Sequence, residues 1–152
     1  MTEDTDALQE MQYELMLFFR YQLRPHHKSS PALERSAYVL LNRLERSDPM
    51  TLKELSQALR LDASTIHRQV GALIRHEHVA YVPGVAGEVA RRIAPTEAGI
   101  EALLETRRSY EQGLRDVVAD WPQEKQRAFS GLLRDFNENV ERIEEAPWPR
   151  GR

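Results

Sequence analysis

Ser64, Thr65, His67 and Arg68 put two short hydroxyls, an imidazole and a guanidinium into little more than one helical turn. Short hydroxyls can donate to phosphate oxygens near a helix start. An arginine fork matches the O6 and N7 acceptors of guanine, and a histidine can serve either purpose. Arg75 follows two turns later, Lys53 precedes the group, and Arg91 and Arg92 come some twenty residues after it. The set suits hydrogen bonding to a polyanion with readable edges, not bond making. The chain has no glycine-rich phosphate loop, nucleophile elbow or H-E-x-x-H helix, so no catalytic constellation, enzyme or cofactor is implied.

Such residues work only if something holds them on one exposed face. From Asp62 or Ala63 onward, Ile66, Val70, Leu73 and Ile74 recur at helical spacing. On a 100-degree wheel Ser64, Arg68, Gly71, Ala72 and Arg75 point away from that stripe, with Thr65 and His67 beside them. Thr51-Leu52-Lys53-Glu54 matches a capping box and predicts a short preceding helix to Leu59, with Leu52, Leu55 and Leu59 inward and a turn at Arg60-Leu61. After His78 the period changes. Val79 to Val82 reads as a strand, Pro83 to Gly87 as a turn and Val89 to Ile93 as a returning strand, which together make a hairpin.

Helices flank this unit. One is predicted from Leu8 to Leu23. The two prolines between Arg24 and Pro31 break it, and a second follows with Leu33, Ala37, Leu40, Leu41 and Leu44. A long helix runs from Thr96 to about Trp121. The last begins with Pro122 in its first turn and carries Phe129, Leu132, Leu133, Phe136, Val140 and Ile143. The tail 147–152 reads as frayed.

Helix, turn, helix and hairpin in this order predict a winged helix-turn-helix: an α+β, predominantly α-helical fold whose second helix lies in the major groove of duplex DNA. The expected division is 1–50 for N-terminal dimerisation and support helices, 51–95 for the DNA-binding lobe, 96–146 for C-terminal dimerisation helices and 147–152 for the tail. The expected DNA contacts are Ser64, Thr65, His67, Arg68, Arg75, Lys53, Arg91 and Arg92. The terminal helices carry apolar seams with acidic backs, which a second copy of the chain can cover. The expected dimer interface is Leu8, Met11, Leu15, Phe129, Leu132, Phe136, Val140 and Ile143.

The stretch Leu59 to Arg68 resembles the segment of MarR-family regulators that turns into their recognition helix. Val79-Ala80-Tyr81 is similar to that family's first wing strand, and Pro95-Thr96-Glu97-Ala98-Gly99 to its leucine-threonine-x-x-glycine. The resemblance implies a homodimeric transcriptional regulator, a repressor on a pseudo-palindromic operator, with a small-molecule effector pocket between lobe and dimerisation helices. The chain departs from the family in three places. Gly87-Glu88-Val89 stands where the wing usually has aspartate and arginine, leaving Arg91 and Arg92 as substitutes. Glu77 replaces the helix-stopping glycine, and Pro95 a common leucine.

The chain is acidic, at −3 over 152 residues, yet the sign is uneven. Residues 51–94 carry six Lys and Arg against four Asp and Glu, whereas both flanking segments are net negative. A basic middle in an acidic chain fits a phosphate partner. With no cysteine there is neither a disulfide framework nor a thiol sensor. No apolar run approaches about 18 residues and Met1 to Glu10 is acidic, so a cytosolic protein without a membrane partner is expected. Two other readings stand beside this one. A winged-helix module could serve protein contacts alone. A metal-responsive regulator could use His26-His27 or His76-Glu77-His78, although adjacent helical residues diverge by about 100° and zinc needs three or four convergent ligands.

Overall fold

Local chemistry sets the helix boundaries before any distant contact is needed. In the computed structural model, which describes residues 2–21, 33–83, 86–87 and 89–150, the helices are α1 (Thr2–Phe19), α2 (Arg35–Glu45), α3 (Leu52–Leu59), α4 (Ala63–Arg75), α5 (Glu97–Val117) and α6 (Gln123–Glu144). The strands β1 (Val79–Val82) and β2 (Arg92–Pro95) form the hairpin between α4 and α5. This is the predicted mainly helical α+β order.

The capping box at α3 is made in full. Glu54 N–H donates to Thr51 Oγ1 at 3.1 Å and Thr51 N–H donates to Glu54 Oε2 at 2.9 Å. At the far end of α4, His78 N–H donates to the Leu73 carbonyl and Glu77 N–H to that of Ile74, both at 2.9 Å. This is a Schellman stop that normally takes glycine in the left-handed region. Glu77 occupies it with φ 58°, and Arg60 closes α3 in the same conformation with φ 54°.

Leu40, Leu41, Leu55, Ile66, Ile93 and Leu103 are completely buried, drawing α2, α3, α4, β2 and the first turns of α5 into one core. That core reaches beyond the segment 51–95 on both sides. Buried Leu33, just before α2, donates its N–H to Thr106 Oγ1 of α5 at 3.1 Å. Arg107 of α5 donates to Asn42 and pairs with Glu45 of α2, and the rings of Tyr38 and Tyr110 stack at 4.8 Å between the same helices.

Some boundaries differ from those predicted. The returning strand is Arg92–Pro95, not Val89–Ile93, with Ile93 opposite Tyr81 and Pro95 opposite Val79. Its register is fixed by buried Ile93, which exchanges both backbone hydrogen bonds with Met50 on its other side. Thr96 N–H donates to the His78 carbonyl, so Pro95 falls where this ladder asks for no donor. The first helix starts at Thr2 and ends at Phe19. Leu23 and His26-His27 lie outside the described residues. The helix after the hairpin stops at Val117, before Trp121, and Pro122 is the N-cap of α6, outside its first turn.

The tail is docked rather than frayed as far as residue 150. Ala146 is buried, Trp148 N–H donates to the Glu141 carboxylate at 3.1 Å, and Arg150 pairs with Glu141. Each partner lies within ten residues of the other, across a left-handed Glu145.

Candidate nucleic-acid interface

The opening of α4 is built around Asp62. Its carboxylate accepts from Thr65 N–H at 2.8 Å, from the Ser64 hydroxyl at 2.6 Å and from the Thr65 hydroxyl at 2.9 Å. These hydrogen bonds, the one from Ser64 foremost, hold its pKa down to about 2. In the free protein the hydroxyls of Ser64 and Thr65, expected as phosphate donors, are engaged with Asp62 instead. Their hydroxyl protons serve the N-cap, and a fixed negative charge occupies the helix end where a phosphate would otherwise sit. The hydroxyl oxygens can still accept hydrogen bonds.

Further along α4 the two faces separate as the periodicity requires. Ile66, Val70 and Leu73 are buried, Ile74 is half-buried, and Ser64, His67, Arg68 and Arg75 are exposed. A shallow hollow between α3 and α4 is lined by Leu52, Lys53, Ser56, Gln57, Ser64 and His67, which puts exposed Lys53 near the outward face of α4. On the opposite flank, an open cavity of about 680 Å³ lies between the start of α2 and α4, with Glu34, Ser36, Arg68, Gln69, His76 and His78 on its walls. The imidazoles of His76 and His78 stack at 5.9 Å, and burial, with His76 secondary, lowers the pKa of His78. Among the described residues no three histidine or acidic side chains are arranged to hold a metal.

The hairpin divides its two arginines. Arg91 is exposed, with its guanidinium 5.3 Å from the centre of the Tyr81 ring. Arg92 instead turns inward, donating to the Pro49 carbonyl at 3.0 Å and to Glu54 at 3.1 Å, and so ties the start of β2 to α3 and the residues before it. Of this predicted pair, Arg91 faces outward and Arg92 braces the lobe. Gly84, Val85 and Glu88 at the tip lie outside the described residues.

One knot holds α4, the hairpin and α5 together. The Thr96 hydroxyl accepts from Gly99 N–H at 3.0 Å and donates to the Glu77 carbonyl at 2.6 Å. Gly99 lies so near β1 that a Cβ there would stand 2.0 Å from the His78 carbonyl oxygen. That contact is the physical reason for glycine in Pro95-Thr96-Glu97-Ala98-Gly99.

The winged helix-turn-helix of this chain has close counterparts among solved structures. It superposes on a MarR family protein from Bacillus stearothermophilus with a TM-score of 0.73 at 24% identity, covering 92% of this chain and 98% of the other. The fold is that of the MarR proteins. An S. aureus MepR mutant bound to an oligodeoxyribonucleotide superposes with a TM-score of 0.52 at 14% identity, covering 71% of this chain and 80% of that one. At the level of sequence, residues 32–83 match the model of the IclR helix-turn-helix domain, so the MarR resemblance holds for the fold while the matching domain model is IclR. The chain is also 26% identical over 137 residues to an uncharacterized HTH-type transcriptional regulator, YxaD, of Bacillus subtilis, covering 89% of this chain and 96% of the relative. Together these matches support a DNA-binding transcriptional regulator on the MarR winged-helix fold.

The seam predicted for dimerisation stands largely uncovered. Leu8, Met11, Phe129, Leu132, Phe136 and Ile143 are exposed, Leu132 at 67% and Ile143 at 76%, while Leu15 and Val140 are half-buried. Leu114 and Val117 at the far end of α5 are exposed as well. The sequence places them in a helical stripe, but not specifically at an interface.

Proposed function

We propose that the protein is a homodimeric repressor that occupies a pseudo-palindromic operator and acts by binding, not by catalysis. Each protomer inserts α4 into the major groove, where Arg68 reads a guanine edge, His67 and Arg75 contact the same groove, and Lys53 and Arg91 steady the lobe on the phosphates. Arg92 supports this surface from behind. One observation carries the reading: α4 buries Ile66, Val70 and Leu73 and turns Arg68, His67 and Arg75 outward, in a helix-turn-helix with a cationic hairpin beside it. The DNA-bound S. aureus relative has the same fold.

A second copy covers the exposed seam of α1 and α6 and presents two α4 helices to half-sites about one helical turn apart. A small molecule in the cavity that Arg68 and Gln69 border would release the operator by preferring a lobe arrangement incompatible with it. The protein works in the cytosol. Footprinting of the purified protein on the DNA flanking its own gene tests the reading directly. Arg68→Ala should weaken the protected site by about 1–3 kcal/mol and leave the dimer intact on size-exclusion chromatography. Full affinity in that variant rejects the assignment of Arg68. Retention on duplex DNA that falls steeply with salt supports the reading, and no retention even at low salt rejects DNA binding altogether.

A further inference from the structure

Glycine is the least favourable residue for a helix interior apart from proline, so a mid-helix glycine needs a reason. Gly71 sits in the interior of α4 with ordinary helical dihedrals. An ideal Cβ there would have only Arg75 Nη1 within 4 Å, at 3.5 Å, the movable end of a flexible side chain in ordinary van der Waals contact. Gly99 is the opposite case, because the fold itself leaves no room for a side chain there. Nothing within the protein requires glycine at 71.

The position suggests what does. Gly71 is on the outward side of α4, one turn after Arg68 and one turn before Arg75, with small Ala72 beside it. The surface there is low, with Arg68 one turn before it and the Arg75 guanidinium folded back over it. How deeply a helix settles into the major groove depends on the side chains at the middle of its leading face.

Building on the DNA-reading proposal, we infer that Gly71 is a specificity-determining residue: there the α4 backbone meets a base-pair edge directly, and the missing side chain selects the base pair. Arg75, which folds back over Gly71 in the free protein, swings aside to admit that edge. A methyl group at 71 holds the helix off the groove floor and lengthens the contacts made by both arginines.

The test compares wild type, Gly71→Ala and Gly131→Ala by selection from a randomised duplex library, followed by affinity for the wild-type-selected duplex and for bulk sheared DNA. Gly131 is the control. A Cβ there meets open space, and it lies on the charged face of α6 among Arg127, Arg134 and Asp135. Both variants should melt above wild type, because alanine suits a helix interior better than glycine and neither added Cβ meets a rigid neighbour. Gly71→Ala alone should lose roughly tenfold or more on the selected duplex and change the preferred base at one position per half-site, with unaltered affinity for sheared DNA. Equal affinity and an identical preference in Gly71→Ala overturn the inference, as does a lower melting temperature for that variant. Failure of the wild type to select any sequence overturns the DNA-reading proposal itself, a distinct result.

Discussion

The lobe from α2 to the first turns of α5 and the terminal helices α1 and α6 have similar apolar patterns and opposite fates. In the lobe the stripes of α2, α3 and α4 close on one another, so that Leu40, Leu41, Leu55 and Ile66 are wholly removed from solvent. In α6 no residue is buried, and Leu8 of α1 remains 65% exposed. Amphipathic periodicity therefore tells which face of a helix seeks cover, but not whether the same chain provides it. The lobe closes its core within one copy, whereas the apolar faces of α1 and α6 are left uncovered, as the proposed dimer requires.

Mutations in the two regions should fail in different ways. Leu41→Ala opens a hole in a closed core and should destabilise the lobe by about 2–5 kcal/mol at any protein concentration, as read by denaturant titration. Gly99→Ala should destabilise it by on the order of 3 kcal/mol, since neither the His78 carbonyl nor α5 can retreat from a contact this close. Leu132→Ala combined with Phe136→Ala should instead shift the dimer dissociation curve in analytical ultracentrifugation by about 1–3 kcal/mol, with α2 to α5 still folded at high dilution. A concentration-independent loss of lobe structure in that double variant would erase the distinction between lobe and arms.

Smaller effects test how the lobe is trimmed. Glu77→Gly should stabilise it by about 1 kcal/mol in thermal melts, because glycine adopts φ 58° without the Cβ conflict that glutamate carries. The Asp62 cap should respond to acid. Its folded pKa of about 2 lies below the ordinary 3.8, so its contribution is fully present above about pH 4 and is lost as pH falls through 2. Asp62→Asn, which caps without titrating, should abolish that portion of the acid response when amide protection of α4 is followed from pH 5 to 2.

Features written in neighbouring residues were legible from the sequence. The Thr51-Glu54 box, the Asp62 opening, the buried face of α4 and β1 follow from local spacing, and all four appear where spacing put them. Features set by distant partners were not. Val89-Ala90-Arg91 has strand character, but register belongs to Ile93 and its partner Met50, more than forty residues earlier. Arg92 reads as a surface cation until Glu54, 38 residues earlier, is brought beside it. The stops at Arg60, Glu77 and Glu145 lack the glycine that marks such turns, and without that marker the docked tail reads as loose chain. The competing bonds of Ser64 and Thr65 were close at hand, since Asp62 directly precedes them, but an N-cap and a phosphate donor use the same residue types.

The length of α5 has a mechanical consequence. Its 21 residues form a shaft roughly 30 Å long, seated in the lobe at Gly99, Leu103 and Thr106 and reaching the exposed leucine and valine beyond Gly113. The hydroxyl of Thr96 ties the shaft's root to the Glu77 carbonyl, two residues past the end of α4, leaving little free play between the two helices. In the proposed dimer, a tilt of about 10° where the shafts meet would carry each lobe through roughly 5 Å, an appreciable fraction of the ~34 Å that separates successive major-groove faces. In such a dimer, leverage of this kind would let a slight adjustment at the stem decide whether both lobes can seat on one duplex.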